Sequence, residues 1–291
     1  MAQGTVIKAY SSYYYVQAGD TVTMCTLRGR FKKERFSLFV GDIVEFVPAA
    51  GGKGVIETIL PRQTLLKRPA VANVNQVVIT FAAARPDFNA ALLNRFLVLA
   101  EMSQLETVIV INKMDLADTE MIEPIADLYR RIGYTVILVS TRTGLGIPEL
   151  SQILHQRITV FSGPSGAGKS SILNAVEPGL SLVTGVLSEK IGRGKHTTRH
   201  AQLLPLPGGG FVVDTPGLSF TEFTDLKEME LMHCFPEISE MASACRFNTC
   251  LHYKEPQCAV KQAVLDGKIA EDRYASYIEI LDEIKTNKRG F

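Results

Sequence analysis

The octapeptide Gly163-Pro164-Ser165-Gly166-Ala167-Gly168-Lys169-Ser170 has the residue types and spacing of a phosphate cradle. Its glycines permit a tight turn in which successive backbone N–H groups face one anion. Lys169 is placed to reach the outer phosphates of a nucleotide, and the Ser170 hydroxyl to hold Mg²⁺. The apolar run Ile158-Thr159-Val160-Phe161 precedes the loop, and Ser171-Ile172-Leu173-Asn174-Ala175-Val176 continues it as a helix. Strand, glycine loop and helix in that order separate a P-loop from an ordinary glycine-rich turn, and the helix N-terminus adds positive potential.

Other chemistry-bearing stretches stand at the ends of apolar runs. Asn112-Lys113-Met114-Asp115 follows Thr107–Ile111. A carboxylate there can accept from guanine N1–H and its exocyclic amine, a pair that adenine does not offer. This Asn-Lys-x-Asp pattern resembles the guanine-specificity motif of GTPases. Ser140-Thr141-Arg142 resembles their short base-contacting loop, with Thr141 where alanine is usual. The basic, glycine-rich stretch 192–200 carries two threonines, Thr197 and Thr198, either of which suits a switch ligand to Mg²⁺. Asp214-Thr215-Pro216-Gly217 resembles Asp-x-x-Gly, with Asp214 toward Mg²⁺ and the Gly217 N–H toward the γ-phosphate.

A second kind of chemistry lies near the C-terminus. Cys245-x4-Cys250-x-His252-x5-Cys258 can close a tetrahedral zinc site, with Cys234 and His233 as possible substitutes. No position is left open for substrate, so the expected zinc is structural. A third kind lies early, in Arg28, Arg30, Phe31, Lys32, Lys33 and Arg35. Five cations around one ring can track a nucleic-acid backbone and stack a base.

These residues need a scaffold. Five short β-branched and aromatic runs (5–10, 13–18, 21–26, 42–47 and 55–60) fill the first sixty residues, separated by turn residues. They predict a small OB-fold β-barrel. Pro61–Pro69 reads as a linker. Apolar strands at 76–81, 107–111, 135–139 and 158–161 then alternate with helices at 92–103, 121–132 and 147–156, which predicts a parallel sheet covered on both faces. Residues 210–213 form a further strand, and 274–284 a closing amphipathic helix. The expected division is an OB-fold RNA-binding domain over 1–66, an α/β P-loop domain over 67–221 and a zinc-binding domain over 222–291.

The net charge of the 291 residues is +1, but residues 1–68 carry +5 and residues 222–291 carry −4. A basic N-terminal module points to a polyanionic partner. No apolar run reaches membrane-spanning length and no export signal opens the chain, so the expected compartment is the cytoplasm. Five cysteines, four of them between Cys234 and Cys258, suit a metal better than a disulfide framework in a reducing compartment.

Order is the informative feature. The motif of residues 112–115 precedes the P-loop, whereas ordinary GTPases have it late. The α/β sheet is therefore expected to be circularly permuted, with the second switch leading directly into the C-terminal segment. Barrel, permuted GTPase and Cys-x4-Cys-x-His-x5-Cys module together resemble the ribosome small-subunit-dependent GTPase A family, essentially end to end. The resemblance implies a cytoplasmic GTPase that binds GTP and GDP, the small ribosomal subunit and its rRNA. It implies action late in subunit maturation, with slow intrinsic hydrolysis stimulated by the subunit. It assigns zinc to Cys245, Cys250, His252 and Cys258, leaving Cys234 a non-ligand, and it favours Thr198 over Thr197 for Mg²⁺. Leu218 stands where Ras-like GTPases orient water with glutamine, so another group must do so; His196 is the first candidate catalytic group, with an rRNA or phosphate contact as its other reading. The alternative reading is an rRNA-binding module gated by nucleotide, with hydrolysis incidental. Nothing in the sequence requires more than a monomer.

Overall fold

The structure, a computed structural model, describes residues 1–29, 37–67, 70–178, 201–214, 223 and 226–288. The chain forms two compact units. One comprises Met1–Gln76, Ile147–Phe161 and Ser170–Leu218; the other comprises Val77–Gly146, Ser162–Lys169 and Ser219–Phe291.

The first unit opens with β1 (Ala2–Tyr10), β2 (Tyr13–Ala18), β3 (Thr21–Leu27), β4 (Ile43–Ala49) and β5 (Lys53–Ile59). β1 pairs with both β2 and β4, β2 with β3, and β5 with both β3 and β4, so the sheet closes on itself. Only β3–β5 is parallel. This is the closed five-stranded barrel expected of an OB-fold. Alternate residues point inward, and Val6, Val16, Cys25, Val44, Phe46 and Ile56 fill the interior. The stretch expected as a linker contains a strand: β6 (Leu65–Lys67) pairs antiparallel with β7 (Ala70–Ala72). Short strands of this kind leave little periodicity for the sequence to display.

In the second unit, β8 (Gln76–Ala82), α1 (Ala90–Met102), β9 (Glu106–Asn112), α2 (Thr119–Ile132) and β10 (Thr135–Leu138) follow in order. β9 lies between β8 and β10, and β9–β10 is parallel in register Val108↔Thr135. β8 is buried along its whole length, as a strand covered on both faces must be. The Asn89 side chain caps α1 by accepting from the Leu92 N–H. Asp118 caps α2 through Glu120 N–H, and Gly133 ends it at φ 114°.

The chain returns to the first unit through α3 (Ile147–Leu154) and β11 (Ile158–Ser162), followed by α4 (Lys169–Val176), β12 (Gln202–Pro205) and β13 (Phe211–Asp214). β11 and β13 are parallel. β12, a strand the sequence did not predict, is antiparallel to β13, so one strand of opposite direction joins the parallel strands that were expected. The physical reason is the short connection: strands joined by a tight turn cannot run the same way.

The second unit ends in α5 (Pro236–Ala242), α6 (Ala259–Leu265) and α7 (Glu271–Lys288). Leu231, Phe235, Ile238, Tyr277, Ile280 and Leu281 pack with Val98 and Leu99 of α1 in one core. No helix among the described residues is long and apolar enough to cross a membrane.

Candidate nucleotide site and Cys/His cluster

Backbone geometry explains the glycines of 163–168. Gly163 and Gly168 have φ of 130° and 94°. A Cβ on Gly163 would lie 2.1 Å from the Thr80 carbonyl oxygen, and one on Gly168 would lie 2.3 Å from Asn112 Nδ2. Both positions therefore exclude a side chain on conformation and on space. Lys169 folds back over the loop, donating from Nζ to the carbonyls of Gly163 (2.7 Å) and Pro164 (2.8 Å). Burial holds its pKa below the usual lysine range. Ala167 is buried, while Ser165 and Gly166 are exposed. Ser170 and Ser171 lie in the first turn of α4.

Asn112 closes β9 with its side chain buried, and its Nδ2 donates to the Ala167 carbonyl at 3.0 Å. That bond joins two motifs 55 residues apart. Lys113 adopts the left-handed conformation at φ 64° and its Nζ donates to the Arg85 carbonyl. Met114 is buried, and its N–H bonds the Val139 carbonyl at 3.2 Å. Ser140, wholly buried, donates from Oγ to Asp115 Oδ1 at 2.6 Å and accepts from the Thr143 N–H at 3.3 Å. Arg142 Nε lies 2.7 Å from Asp115 Oδ2. The Ser140 bond is the main reason the Asp115 carboxyl sits below the usual carboxylate range. Thr141 is half-buried between these two partners of Asp115.

The second unit thus brings together Asn112, Lys113, Met114, Asp115, Ser140 and the loop 163–169. Asp214 ends β13, its backbone in register with Gln202. His196, Thr197, Thr198, Gly217 and Leu218 lie outside the described residues, as do Arg30, Phe31, Lys32, Lys33 and Arg35. Arg28 is described, and its guanidinium is paired with Glu57 of β5.

The thiol sulfurs of Cys245, Cys250 and Cys258 and a ring nitrogen of His252 all lie within 4.8 Å of one another, three of the four residues being buried. His252 Nδ1 is 3.5 Å from the sulfurs of Cys245 and Cys258, and those sulfurs are 3.8 Å apart. Such a cluster can hold a metal ion. Cys234 and His233 stand apart, the first facing the Glu230 carbonyl and the second Ser239 Oγ. His252 has φ 55°, and the knuckle around it is braced from outside. Glu255 accepts from the N–H groups of Leu251 and Tyr253, while Tyr274 and Tyr277 donate to the carbonyls of His252 and Leu251. Burial raises the Cys250 and Cys258 thiols, whose protons leave readily only if a cation takes their place, and it lowers His252, which keeps the imidazole neutral as a metal ligand must be.

Sequence reasoning missed the supports of this arrangement. Arg273 of α7, 1% exposed, donates to both Glu237 oxygens (2.6 and 3.1 Å) and to Asn94 Oδ1 of α1 (2.9 Å). Tyr129 of α2 donates to the same Asn94 oxygen at 2.9 Å. A signal existed: Arg273 falls on the stripe of Tyr277, Ile280, Leu281 and Ile284, where helical spacing calls for apolar residues.

The RsgA N-terminal domain profile matches residues 3–56, and the RsgA GTPase profile residues 59–224. The small ribosomal subunit biogenesis GTPase RsgA of Moorella thermoacetica is 46% identical over 289 residues, covering 99% of both chains. That of Bacillus subtilis is 46% identical over 296 residues, again covering 99% of both. Among solved structures, YloQ, described as a circularly permuted GTPase, superposes with a TM-score of 0.85 at 41% identity, covering 99% of this chain and 96% of its own. YjeQ from Thermotoga maritima superposes with a TM-score of 0.84 at 39% identity, covering 97% and 98%.

Proposed function

The chain belongs to the RsgA GTPase family, and on that premise we propose that it hydrolyses GTP to GDP and phosphate late in maturation of the small ribosomal subunit, at a rate the subunit raises. The observation that carries this reading is the Asn112–Ala167 bond. It ties the base-reading loop to the phosphate loop, so a nucleotide held by one is registered by the other.

In this reading Asp115 accepts N1–H and the exocyclic amine of guanine, with Ser140 fixing the carboxylate and keeping it ionised. Lys113 flanks the base and Thr141 lies beside it. The backbone N–H groups of Gly163 through Ser171 cradle the phosphates. Lys169 exchanges its two carbonyl partners for phosphate oxygens, and the anion offsets the lowering of its pKa by burial. Ser170, Thr198 and Asp214 would hold Mg²⁺, which supplies charge neutralisation between the outer phosphates. The Gly217 N–H meets the γ-phosphate. Leu218 cannot hydrogen-bond water, so the role of orienting the nucleophile falls to His196 in the subunit-bound protein.

The same reading gives the flanking modules their work. The barrel, with Arg28, Arg30, Phe31, Lys32, Lys33 and Arg35, contacts rRNA. Zn²⁺ suits the cluster of Cys245, Cys250, His252 and Cys258. Tetrahedral bonds of about 2.3 Å to sulfur and about 2.0 Å to nitrogen set S···S edges near 3.8 Å and S···N edges of about 3.5 Å. Cys245 and Cys258 have their sulfurs 3.8 Å apart and each 3.5 Å from His252 Nδ1, within a cluster whose ligand atoms all lie within 4.8 Å of one another. We place the protein in the cytoplasm as a monomer, divided functionally near residues 66 and 221.

The deciding experiment is GTP turnover with and without purified small subunits, alongside Asp115→Asn. Stimulation by the subunit, and a shift of base preference from guanine toward xanthine in the variant, are the expected results. Unstimulated turnover would remove the ribosomal role; retained guanine selectivity would remove the Asp115 contact.

A further inference from the structure

Asp115 has two carboxylate oxygens, and both are engaged by the protein's own donors. Oδ1 accepts from Ser140 Oγ at 2.6 Å, and Oδ2 lies 2.7 Å from Arg142 Nε. The two partners differ in kind. Ser140 is wholly buried and itself held by the Thr143 N–H, so it is a fixed part of the wall. Arg142 reaches in from solvent with its side chain 71% exposed, whereas that of Asp115 is only 9% exposed. The guanidinium therefore covers the approach to an acceptor that has little other open surface.

Guanine presents N1–H and N2–H on either side of one carbon. An arginine guanidinium presents the same N–C–N pair of donors, in one plane, to a carboxylate. Here one guanidinium donor, Nε–H, meets Oδ2, the oxygen that one of guanine's two N–H groups would take, while Ser140 holds Oδ1. We propose that Arg142 is an internal guanine surrogate: its guanidinium occupies the base-reading carboxylate of Asp115 and must be displaced when guanine binds. The inference rests on the guanine reading of Asp115 and adds to it a residue that sets how tightly guanine is held.

Three consequences follow from the chemistry. Removing Arg142 strengthens guanine nucleotide binding, because the base no longer competes with an ion pair. A pair whose arginine stands in solvent makes the gain modest, about two- to fivefold in the GDP dissociation constant. The gain also shrinks with salt, because a solvent-facing pair is screened while the buried Ser140 bond is not. Taking the ratio of variant to parent cancels the salt response of the phosphate loop, which both proteins share.

The experiment is a double-mutant cycle on the full chain. GDP dissociation constants are measured for the parent, Arg142→Ala, Arg142→Lys, Asp115→Asn and Asp115→Asn/Arg142→Ala, at low salt and at about 1 M salt. Arg142→Ala is expected to bind GDP about two- to fivefold more tightly at low salt, converging on the parent at high salt. Arg142→Lys keeps the charge but loses the planar fork, and is expected to fall between the two. In the Asp115→Asn background, Arg142→Ala is expected to change nothing. If Asp115→Asn keeps its guanine preference, the base-site reading itself fails. If Asp115→Asn loses guanine while Arg142→Ala binds GDP equally or more weakly than the parent, the surrogate role alone is overturned.

Discussion

Arg273→Ala tests the buried network that joins α7 to α1 and α2. Arg273 makes three N–H···O contacts, two to Glu237 and one to Asn94, and its guanidinium lies 4.5 Å from the centroid of the Phe235 ring. Burial alone would lower its pKa, but the Glu237 bonds outweigh this and the group stays charged. Alanine would leave the Glu237 carboxylate, 12% exposed, without its counter-ion. Breaking a buried pair from one side costs about 3–5 kcal/mol, and the partial access of water to Glu237 puts the expected loss near the lower end, at about 3 kcal/mol. That is a change of about two orders of magnitude in the folding equilibrium, within the 5–15 kcal/mol of a typical domain. Replacing both partners, as in Arg273→Met with Glu237→Leu, removes the stranded charge and is expected to recover most of the loss. The chain has no tryptophan, so urea unfolding is followed by circular dichroism, with hydrogen exchange reporting α1 and α7 separately. A loss below about 1 kcal/mol for Arg273→Ala, or a double variant no more stable than the single one, would refute the reasoning.

The remaining predictions concern the site itself. Gly163→Ala places a carbon 2.1 Å from the Thr80 oxygen at φ 130°, so the loop must move. GDP affinity is expected to fall about tenfold or more, with about 1–3 kcal/mol of added strain; parental affinity would contradict the close approach. Ser140→Ala removes the main bond that lowers the Asp115 pKa. The lowered group stays ionised as pH falls, so in the parent GDP affinity persists into acid; in the variant the pKa rises and affinity is lost at a higher pH. Superimposable pH profiles would exclude the bond as the cause. Purified protein should carry about one equivalent of zinc, and its removal should loosen the core shared by Cys250, Cys258 and Tyr277. A metal-free chain with an unchanged melting temperature would rule out a structural metal.

The parts that chemistry reads by residue type were legible before any coordinates. Asn112–Asp115, Gly163–Ser170 and the four Cys/His positions each depend on short spacings along the chain. Their order along the chain announced the permutation. All five barrel strands and the strands flanking the P-loop carried a periodicity strong enough to place them. Elements of three or four residues did not: β6, β7 and β12 are too short to show a period, and β12 runs against its neighbour. The C-terminal helices α5 and α6 span seven residues each, about two turns, which is too short to display a helical period.

Local chemistry thus pointed to the ligand class, because a glycine loop or a set of thiols acts through neighbours a few residues away. The folded chain added every relation that spans a large sequence distance. Asn112 meeting Ala167, Asn94 shared by Tyr129 and Arg273, and Arg142 covering Asp115 all arise from how helices and loops pack. No composition or spacing encodes them, since a hydrogen bond between distant residues is specified by the whole core that holds both ends.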